Sequence, residues 1–328
     1  MPYIPITDSQ EREMLNFLGF KNYEELLKII PESLKIKQPL GLDGGLSEFE
    51  MENNIKEMLS ANNPASEGLC FLGGGVYDHY VPKIVDFLSS RSEFYTAYTP
   101  YQSEVSQGTL QYLFEFQSMI CELSGMDVAN ASLYDGASAL AEACSLAINT
   151  TRKNKIAISS CVNPRYIEVV KTYLQNRNVQ IDFISSSDGI TDSSILDSLS
   201  DEYAAIVIQS PNHYGLIENL EKFKIENVLL ISVNDPISLS IMKTPRELGA
   251  DIYVGEGQVL GNYMSYGGPY LGLFATTNKY MRKLPGRVVG KTVDREGKEG
   301  FTLTLQTREQ HIRRESATSN ICTNQGLL

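Results

Sequence analysis

The residues best suited to bind an anion in this sequence form a short turn, Asp135-Gly136-Ala137-Ser138, before a stretch of small apolar residues. That stretch favours a helix, and aspartate is a good N-cap residue for a helix. The N–H groups in the first turn of a helix have no partner inside the helix, so they can bind a phosphate. A plain N-cap explains the same residues, and the turn alone does not distinguish a cap from a phosphate site.

Asp235 is a second candidate, because it lies two residues after the apolar segment VLLISV, which is typical of a buried strand. In pyridoxal-phosphate enzymes of the aminotransferase fold, an aspartate at such a strand end binds the cofactor's ring nitrogen, and a helix start like that at Asp135 holds its phosphate. An ordinary aspartate that caps the next turn is an equal alternative. The same fold places its Schiff-base lysine after the next strand, here DIYVG. Residues 244–278 contain no lysine, although Lys243 and Lys279 flank them.

The elements that would position these residues alternate between strands and helices from residue 132 onward. Helix-separated strands that are apolar on both faces predict a parallel or mixed sheet covered by helices. The predicted strands are 155–159, 179–184, 203–211, 228–233, 251–255 and 270–277, with helices after Asp135 and over 164–177, 192–199 and 244–248.

The first part of the chain, residues 1–66, predicts helices and little else. Asp8 or Ser9 can cap a first helix, and Ser47-x-x-Glu50 is a capping box that opens another. A longer helix is predicted over 109–123 from its apolar spacing.

Composition narrows the possible functions. The chain has 328 residues, 42% of them apolar, and a net charge of −12, which argues against nucleic acid or an anionic membrane as a partner. The five cysteines form no CxxC or Cys/His cluster, so we expect no metal site and a reducing compartment. The first residues show no apolar signal-peptide core, so we expect a cytoplasmic protein without a membrane segment. Gly73-Gly74-Gly75 and the glycines near Gly255 lack the spacing of a dinucleotide site.

Several long segments together resemble one family closely. They are FYTAYTPYQSEVSQG (94–108), MDVANASLYDGASALAEA (126–143), GADIYVGEGQVLG (249–261) and LTLQTREQHIRRESATSNICTNQ (303–325). These segments are similar to those of the alpha-type subunits (subunit 1) of the glycine cleavage system P-protein family, and the resemblance runs from about Ile4 to Leu328. Because alpha subunits of that family are longer, the resemblance predicts that the chain is truncated at its C-terminus.

The resemblance implies an α/β fold of the aminotransferase type, pyridoxal-phosphate fold type I. We expect a helical N-terminal arm over 1–93 and a large domain with a mostly parallel sheet over 94–285. Residues 286–328 would begin a C-terminal small domain that is mostly missing from this chain.

The resemblance also implies a function. The chain would be the alpha subunit, without the Schiff-base lysine, of a glycine dehydrogenase (decarboxylating), an oxidoreductase of glycine catabolism. It would be inactive without its beta subunit, with which it would form an α2β2 heterotetramer. The beta subunit would carry the lysine and the pyridoxal phosphate. The assembly would decarboxylate glycine and transfer the aminomethyl group to the lipoyl arm of the H-protein.

Two sets of candidate site residues follow from the resemblance. The first is a vestigial cofactor pocket with no covalent cofactor, in which Gln258 stands near the lysine position; its members are Asp135, Gly136, Ala137, Ser138, Asp235 and Gln258. The second is a tyrosine-rich loop that would contribute Tyr95, Tyr98 and Tyr101 to the beta subunit's active site. Tyrosine combines a rigid apolar body with a polar tip, which suits a cofactor cleft.

Two alternatives stay open at this point. The chain could be a stand-alone pyridoxal-phosphate enzyme of the aminotransferase type, although the missing lysine counts against that. It could also be a purely structural partner of the beta subunit, in which case the tyrosine loop would be a buried interface without chemistry.

Overall fold

The computed structural model describes residues 5–38, 40–64, 67–95, 99–194 and 202–306, together with Ile312, Glu315 and Ile321. Tyr98 and most of the predicted helix 192–199 lie outside the described residues. So do the last residues of the chain, 322–328. The chain divides into two units, Met1–Pro64 and Ala65–Leu328. The domain boundaries expected at residues 93 and 285 stay predictions.

The first unit is helical in its described part, as its sequence predicts. Helices α1 (Asp8–Phe17), α2 (Tyr23–Leu26) and α3 (Glu48–Leu59) are joined by loops and by single 3₁₀ turns at Leu27–Ile29 and Glu32–Leu34. The N-cap of α1 is Thr7, one residue before the predicted positions. Its hydroxyl accepts the backbone N–H of Gln10, and the Gln10 side chain accepts the N–H of Thr7 in return.

The second unit contains further helices in its described part. They are α4 (Lys83–Ser89), α5 (Ser92–Tyr95), α6 (Gln107–Ser124), α7 (Gly136–Thr151) and α8 (Pro164–Leu174), with 3₁₀ turns at Ser103–Val105, Leu220–Phe223, Ser238–Ser240, Gln258–Leu260 and Asn278–Lys283. Gly125 ends α6 in a left-handed conformation at φ +71°. A side chain there would also meet the Thr244 hydroxyl, so the position requires glycine twice over. None of the described helices is long and apolar enough to cross a membrane.

A seven-stranded sheet forms the centre of the second unit. Its strands are β1 (Val128–Ala129), β2 (Lys155–Ser159), β3 (Gln180–Ile184), β6 (Tyr203–Gln209), β7 (Leu229–Val233), β8 (Ile252–Glu256) and β9 (Gly272–Thr276), in the order β1-β9-β8-β7-β6-β2-β3. Strands β3, β2, β6, β7 and β8 are parallel, and β9 is antiparallel to both β8 and β1. This confirms the predicted mostly parallel α/β architecture. A small hairpin, β4 (Ser186–Ser187) and β5 (Ile190–Thr191), follows β3.

Helices cover both faces of this sheet. On one face, α7 and α8 pack their apolar residues against the strands in a single buried cluster that includes Leu140, Ile158 and Val254. On the other face, Ile120 of α6 packs against Tyr253 and Phe223 in a second cluster. Because both faces are covered, the strands read as continuous apolar runs in the sequence.

Two local predictions differ from the structure. Residues 245–249 form a turn and not the helix predicted from TPREL, and the strand begins only at Ile252. The antiparallel hairpin β10 (Val288–Val293) and β11 (Glu299–Thr304) was not predicted at all. Its edges are held by glutamines of α6. The side chain of Gln117 pairs with the backbone N–H and C=O of Val289, and Gln107 pairs in the same way with Phe301.

Helix α7 is almost wholly buried, and Glu142 is the acidic residue on it. Burial raises the pKa of the Glu142 carboxyl to about 7, and the positive charge of Arg177 offsets part of that rise. Because its pKa in the folded chain lies above the ordinary value of 4.5, the folded state binds the proton more tightly than the unfolded state does. Glu142 therefore lowers stability as the pH rises from about 4.5 to about 7.

We accordingly expect Glu142→Gln to stabilise the chain at pH 8 by roughly 1–3 kcal/mol, since one pKa unit corresponds to about 1.4 kcal/mol. The gain should vanish at about pH 3, well below the ordinary pKa of 4.5, where the carboxyl is protonated in both states. Urea unfolding at the two pH values measures it. Glu115→Gln, at an exposed position on α6, is the matched control and should show no such gain. An equal effect of Glu142→Gln at both pH values would contradict the assignment.

Candidate functional site

A cavity of about 450 Å³ opens at the carboxyl ends of the parallel strands. This edge is where ligands bind in open parallel sheets, because the loops that leave the strands converge there. The walls come from the ends of β6, β7 and β8, the start of α8, the loop after β6, and an extended segment near residues 71–77. Polar residues of the lining include Asn163, Tyr166, Gln209, Asp235 and Glu256.

Asp235 lies where the sequence predicts it, two residues beyond the end of β7 and in the cavity wall. One of its carboxylate oxygens also accepts the backbone N–H of Ile237 at 2.7 Å. Asp235 therefore caps the following turn and also lines the cavity, and its interpretation as a partner of a cofactor's ring nitrogen stays a prediction.

The predicted phosphate-binding turn is the start of α7, and two of its N–H groups, those of Gly136 and Ser138, already have carboxylate acceptors. Asp135 is the N-cap and accepts the N–H of Ser138 at 2.7 Å, while the Ser138 hydroxyl completes a capping box. The N–H of Gly136 donates to the carboxylate of Glu256 at 2.9 Å. Ala137 and Ser138 are buried. The plain N-cap accounts for Asp135, and a carboxylate from the neighbouring strand accounts for Gly136.

Glu256 is the site residue that sequence analysis missed. It ends β8, and its carboxylate also accepts the N–H groups of Gln258 and Leu271, at 3.0 and 3.1 Å. Burial raises the pKa of Glu256 to about 7, these N–H bonds counteract the rise, and the negative charge of Asp135 adds to it. A glutamate directly after the apolar run DIYVG was a usable signal, because acidic residues are rarely placed next to buried strands without a partner.

Gln258 is fully buried and both ends of its amide are engaged. Its oxygen accepts the N–H of Tyr77 at 3.3 Å, and its nitrogen donates to the carbonyl of Tyr77 at 3.2 Å and to that of Asn262 at 2.7 Å. The nitrogen also lies 3.5 Å from Nδ1 of His79. The residue near the expected lysine position thus ties the extended segment 71–79 to the end of β8.

The glycine run Gly73-Gly74-Gly75 belongs to that extended segment and lines the cavity. All three residues have positive φ angles, between +63° and +102°, which side chains other than glycine adopt with strain. A side chain at Gly75 would also collide with the amide of Asn163, whose nitrogen donates to the Gly74 carbonyl at 3.2 Å. The run is a backbone wall of the cavity, in agreement with its failure to match a dinucleotide motif.

The tyrosine loop is placed only in part. Tyr95 ends α5 and is 60% exposed, Tyr101 is 54% exposed, and Tyr98 lies outside the described residues. Neither Tyr95 nor Tyr101 is among the described residues that line the cavity. The Tyr101 hydroxyl accepts a hydrogen bond of 3.4 Å from the buried Arg287, whose guanidinium also lies over the Tyr101 ring. The structure therefore brings Asp135, Asp235 and Gln258 to one edge of the sheet, and it leaves Tyr95 and Tyr101 accessible outside the cavity lining.

The residues around the cavity do not fit a pyridoxal phosphate bound to this chain. Gln258, which the resemblance puts near the position of the Schiff-base lysine, has no amine, and its amide is bonded to Tyr77. Two of the helix N–H groups that would hold the phosphate donate to carboxylates of the protein, which would repel it. In the described part of the chain, no group of three or more side chains could hold a metal ion either.

If Gln258 fixes the extended segment, Gln258→Ala should release it. We expect the amide of Tyr77 to exchange its hydrogen at least tenfold faster, because both hydrogen bonds to the side chain disappear. Hydrogen–deuterium exchange resolved to peptides over 71–80 measures this. Val259→Ala, in the same 3₁₀ turn, is the matched control and should leave that exchange unchanged. Unaltered protection in Gln258→Ala would show that other contacts hold the segment.

Comparison with known proteins agrees with this geometry. The chain matches the family described as glycine cleavage system P-protein over residues 1–328. It is 52% identical to the probable glycine dehydrogenase (decarboxylating) subunit 1 of Desulforamulus reducens, over all of this chain and 74% of that protein. It is also 52% identical to the protein of the same description from Listeria innocua, over 99% of this chain and 74% of that one.

Solved structures give the same result at the level of the fold. A crystal structure of glycine decarboxylase (P-protein) of the glycine cleavage system, in inhibitor-bound form, superposes with a TM-score of 0.90 at 44% identity, covering 99% of this chain and 74% of that one. A sphingosine-1-phosphate lyase from Burkholderia pseudomallei shares only the fold, with a TM-score of 0.53 at 11% identity over 83% of this chain and 68% of that one. The fold is that of pyridoxal-phosphate enzymes of fold type I. The chain belongs to the glycine cleavage system P-protein family, in the group of its subunit 1 chains.

Proposed function

We propose that this chain is the alpha subunit of a heteromeric glycine dehydrogenase (decarboxylating) and that it acts only with a beta subunit, as an α2β2 assembly. The observation that carries the proposal is Gln258: the chain matches the family over residues 1–328, yet an amide bonded to Tyr77 stands near the position that the resemblance gives to the lysine. The subunit 1 relatives, whose descriptions name a multi-subunit enzyme, support it.

In the proposed assembly, the beta subunit holds the pyridoxal phosphate, which supplies an electron sink when glycine loses carbon dioxide. The aminomethyl group then passes to the lipoyl arm of the H-protein. This chain contributes surface and side chains to the partner's active site and performs no step in its own cavity. Its negative net charge favours neither nucleic acid nor an anionic membrane as a partner.

Tyr101 is the described residue of the tyrosine loop best placed for such a contribution. Its ring is held by the buried Arg287, and about half of the residue stays exposed. A tyrosine fixed on one side and open on the other can present its hydroxyl to a partner at low entropic cost. Tyr95 is similarly exposed at the end of α5, and Tyr98 lies between them in the sequence. We propose that these three tyrosines face the active site of the beta subunit.

The first test is co-expression with a beta subunit, followed by a glycine–bicarbonate exchange assay with lipoylated H-protein. We expect exchange from the pair and none from either subunit alone. In the assembled pair, Tyr101→Phe and Tyr98→Phe should each lower exchange about tenfold or more, because a hydrogen bond to a charged group is worth roughly 1.5–3 kcal/mol. Tyr203→Phe is the matched control and should exchange at the wild-type rate. Tyr203 begins β6, at the end of the strand away from the cavity, and its hydroxyl is bonded to Asp182 of β3.

Light scattering verifies assembly for each variant. Assembled tyrosine variants with full activity would show that the loop is structural, as the purely structural alternative holds. A full-length subunit 1 that stays monomeric beside its own beta subunit would contradict the proposal itself.

A separate experiment distinguishes the proposed function from a stand-alone pyridoxal-phosphate enzyme. The chain alone, incubated with pyridoxal phosphate and reduced with borohydride, should yield no stoichiometric phosphopyridoxyl-lysine in peptide mapping. Residues 244–278 contain no lysine, and the nearest one before them, Lys243, is exposed and pairs with Glu221. In the complex, the label should appear on the beta subunit. A full equivalent of label on Lys243 or Lys279 would favour the stand-alone enzyme.

A further inference from the structure

The carboxylate of Glu256 lies in a cradle of backbone N–H groups from three separate segments. One oxygen accepts from Gly136 at the first residue of α7. The other accepts from Gln258, in the turn after β8, and from Leu271, just before β9. The ion pairs of the described residues do not include Glu256, so backbone dipoles supply the hydrogen bonds to this carboxylate.

This arrangement is the chemistry of an anion site. A helix start combined with N–H groups of neighbouring loops is how proteins bind phosphate through the backbone alone. Helix α7 has sixteen residues, long enough for its N-terminal dipole to favour an anion. Glycine at position 136 allows close approach, because a side chain there would overlap the hydroxyl of Tyr166 and contact Glu256 itself.

The cradle also opens toward a space that a larger anion could use. Glu256 and Tyr166 both line the cavity, and the N–H of Gly136 donates to the Glu256 carboxylate. The side chain of Glu256 therefore connects the cavity wall to the helix N-terminus. An anion that entered the cavity would meet a carboxylate at the point where it would otherwise meet an N–H donor.

We propose that Glu256 is a built-in anion: its carboxylate takes the position of a ligand's phosphate at the start of α7 and so excludes phosphate-bearing molecules from the cavity. This goes beyond the proposed function, since it concerns the chain alone and says which chemical class its cavity rejects. It makes Glu256 a specificity-determining residue. Removing the carboxylate should create a phosphate site at the start of α7.

The test is Glu256→Ala in the full chain, with inorganic phosphate as the probe. We expect the variant to melt at a lower temperature than the wild type in chloride. Phosphate at tens of millimolar, at matched ionic strength, should raise its melting temperature by about 2–5 °C through binding to the folded state. Phosphate should not shift the wild type. Isothermal titration calorimetry should detect phosphate binding by the variant alone.

The matched control is Glu247→Ala. Glu247 also accepts a backbone N–H, that of Thr244 at 2.8 Å, but it is exposed and lies outside the cavity. Its loss should give no phosphate response. Acetate serves as a second probe, because it reproduces the missing carboxylate and should also stabilise Glu256→Ala.

Each outcome decides the proposal. Selective stabilisation of Glu256→Ala by phosphate supports it, as does a variant that is unfolded in chloride and folds when phosphate is added. The proposal is overturned if the wild type responds to phosphate equally, if acetate stabilises the variant and phosphate does not, or if the variant is indifferent to both anions. The assay needs no beta subunit and no glycine, so its failure would leave the proposed function standing.

Discussion

The start of α7 carries free N–H donors into the centre of the sheet's carboxyl edge, and buried donors must find acceptors. Leaving one unpaired costs about 1–3 kcal/mol. In this chain the acceptors are two carboxylates, Asp135 from the helix's own cap and Glu256 from β8. This requirement joins the helix to the strand, sets the position of the turn at Gln258, and determines what the neighbouring cavity can accept.

The same edge of the sheet shows which contacts the fold makes in a chain that has no lysine over residues 244–278. The cavity has Asp235 in its wall. The two places where a cofactor's phosphate and its lysine are expected are the start of α7 and the turn at Gln258, and both are engaged by side chains of the protein. Gln258 is turned toward Tyr77, and Glu256 is turned toward Gly136. These contacts join segments of the chain that are distant in sequence at this edge of the sheet.

Much of the fold could be predicted from the sequence because its determinants are local. The cap at Asp135 involves only Ser138, three residues away. The buried strands are apolar runs in the sequence and can be predicted as such. The hairpin β10–β11 escaped prediction because its exposed residues break the apolar pattern and its partners, Gln107 and Gln117, lie more than 170 residues away. In the site, Asp235 was found from its strand, whereas Glu256 was missed because its partner Gly136 is 120 residues away.

Three glutamines in this chain do the same thing. Gln107, Gln117 and Gln258 each offer one amide to the N–H and C=O of a single residue, as a neighbouring strand would. The primary amide of glutamine, like that of asparagine, carries a donor and an acceptor side by side and can therefore pair with both backbone groups. The carboxylate of glutamate could not donate to the carbonyl, and the ammonium group of lysine could not accept from the N–H. At Gln258 the side chain and the backbone have different partners. The side-chain oxygen accepts the N–H of Tyr77, whereas the backbone N–H donates to Glu256. A change of the Gln258 side chain therefore leaves the bond to Glu256 in place and removes the acceptor of Tyr77, while a change of Glu256 removes the acceptor of the Gln258 N–H. Each substitution leaves a different backbone donor without its acceptor, so no single substitution undoes both contacts.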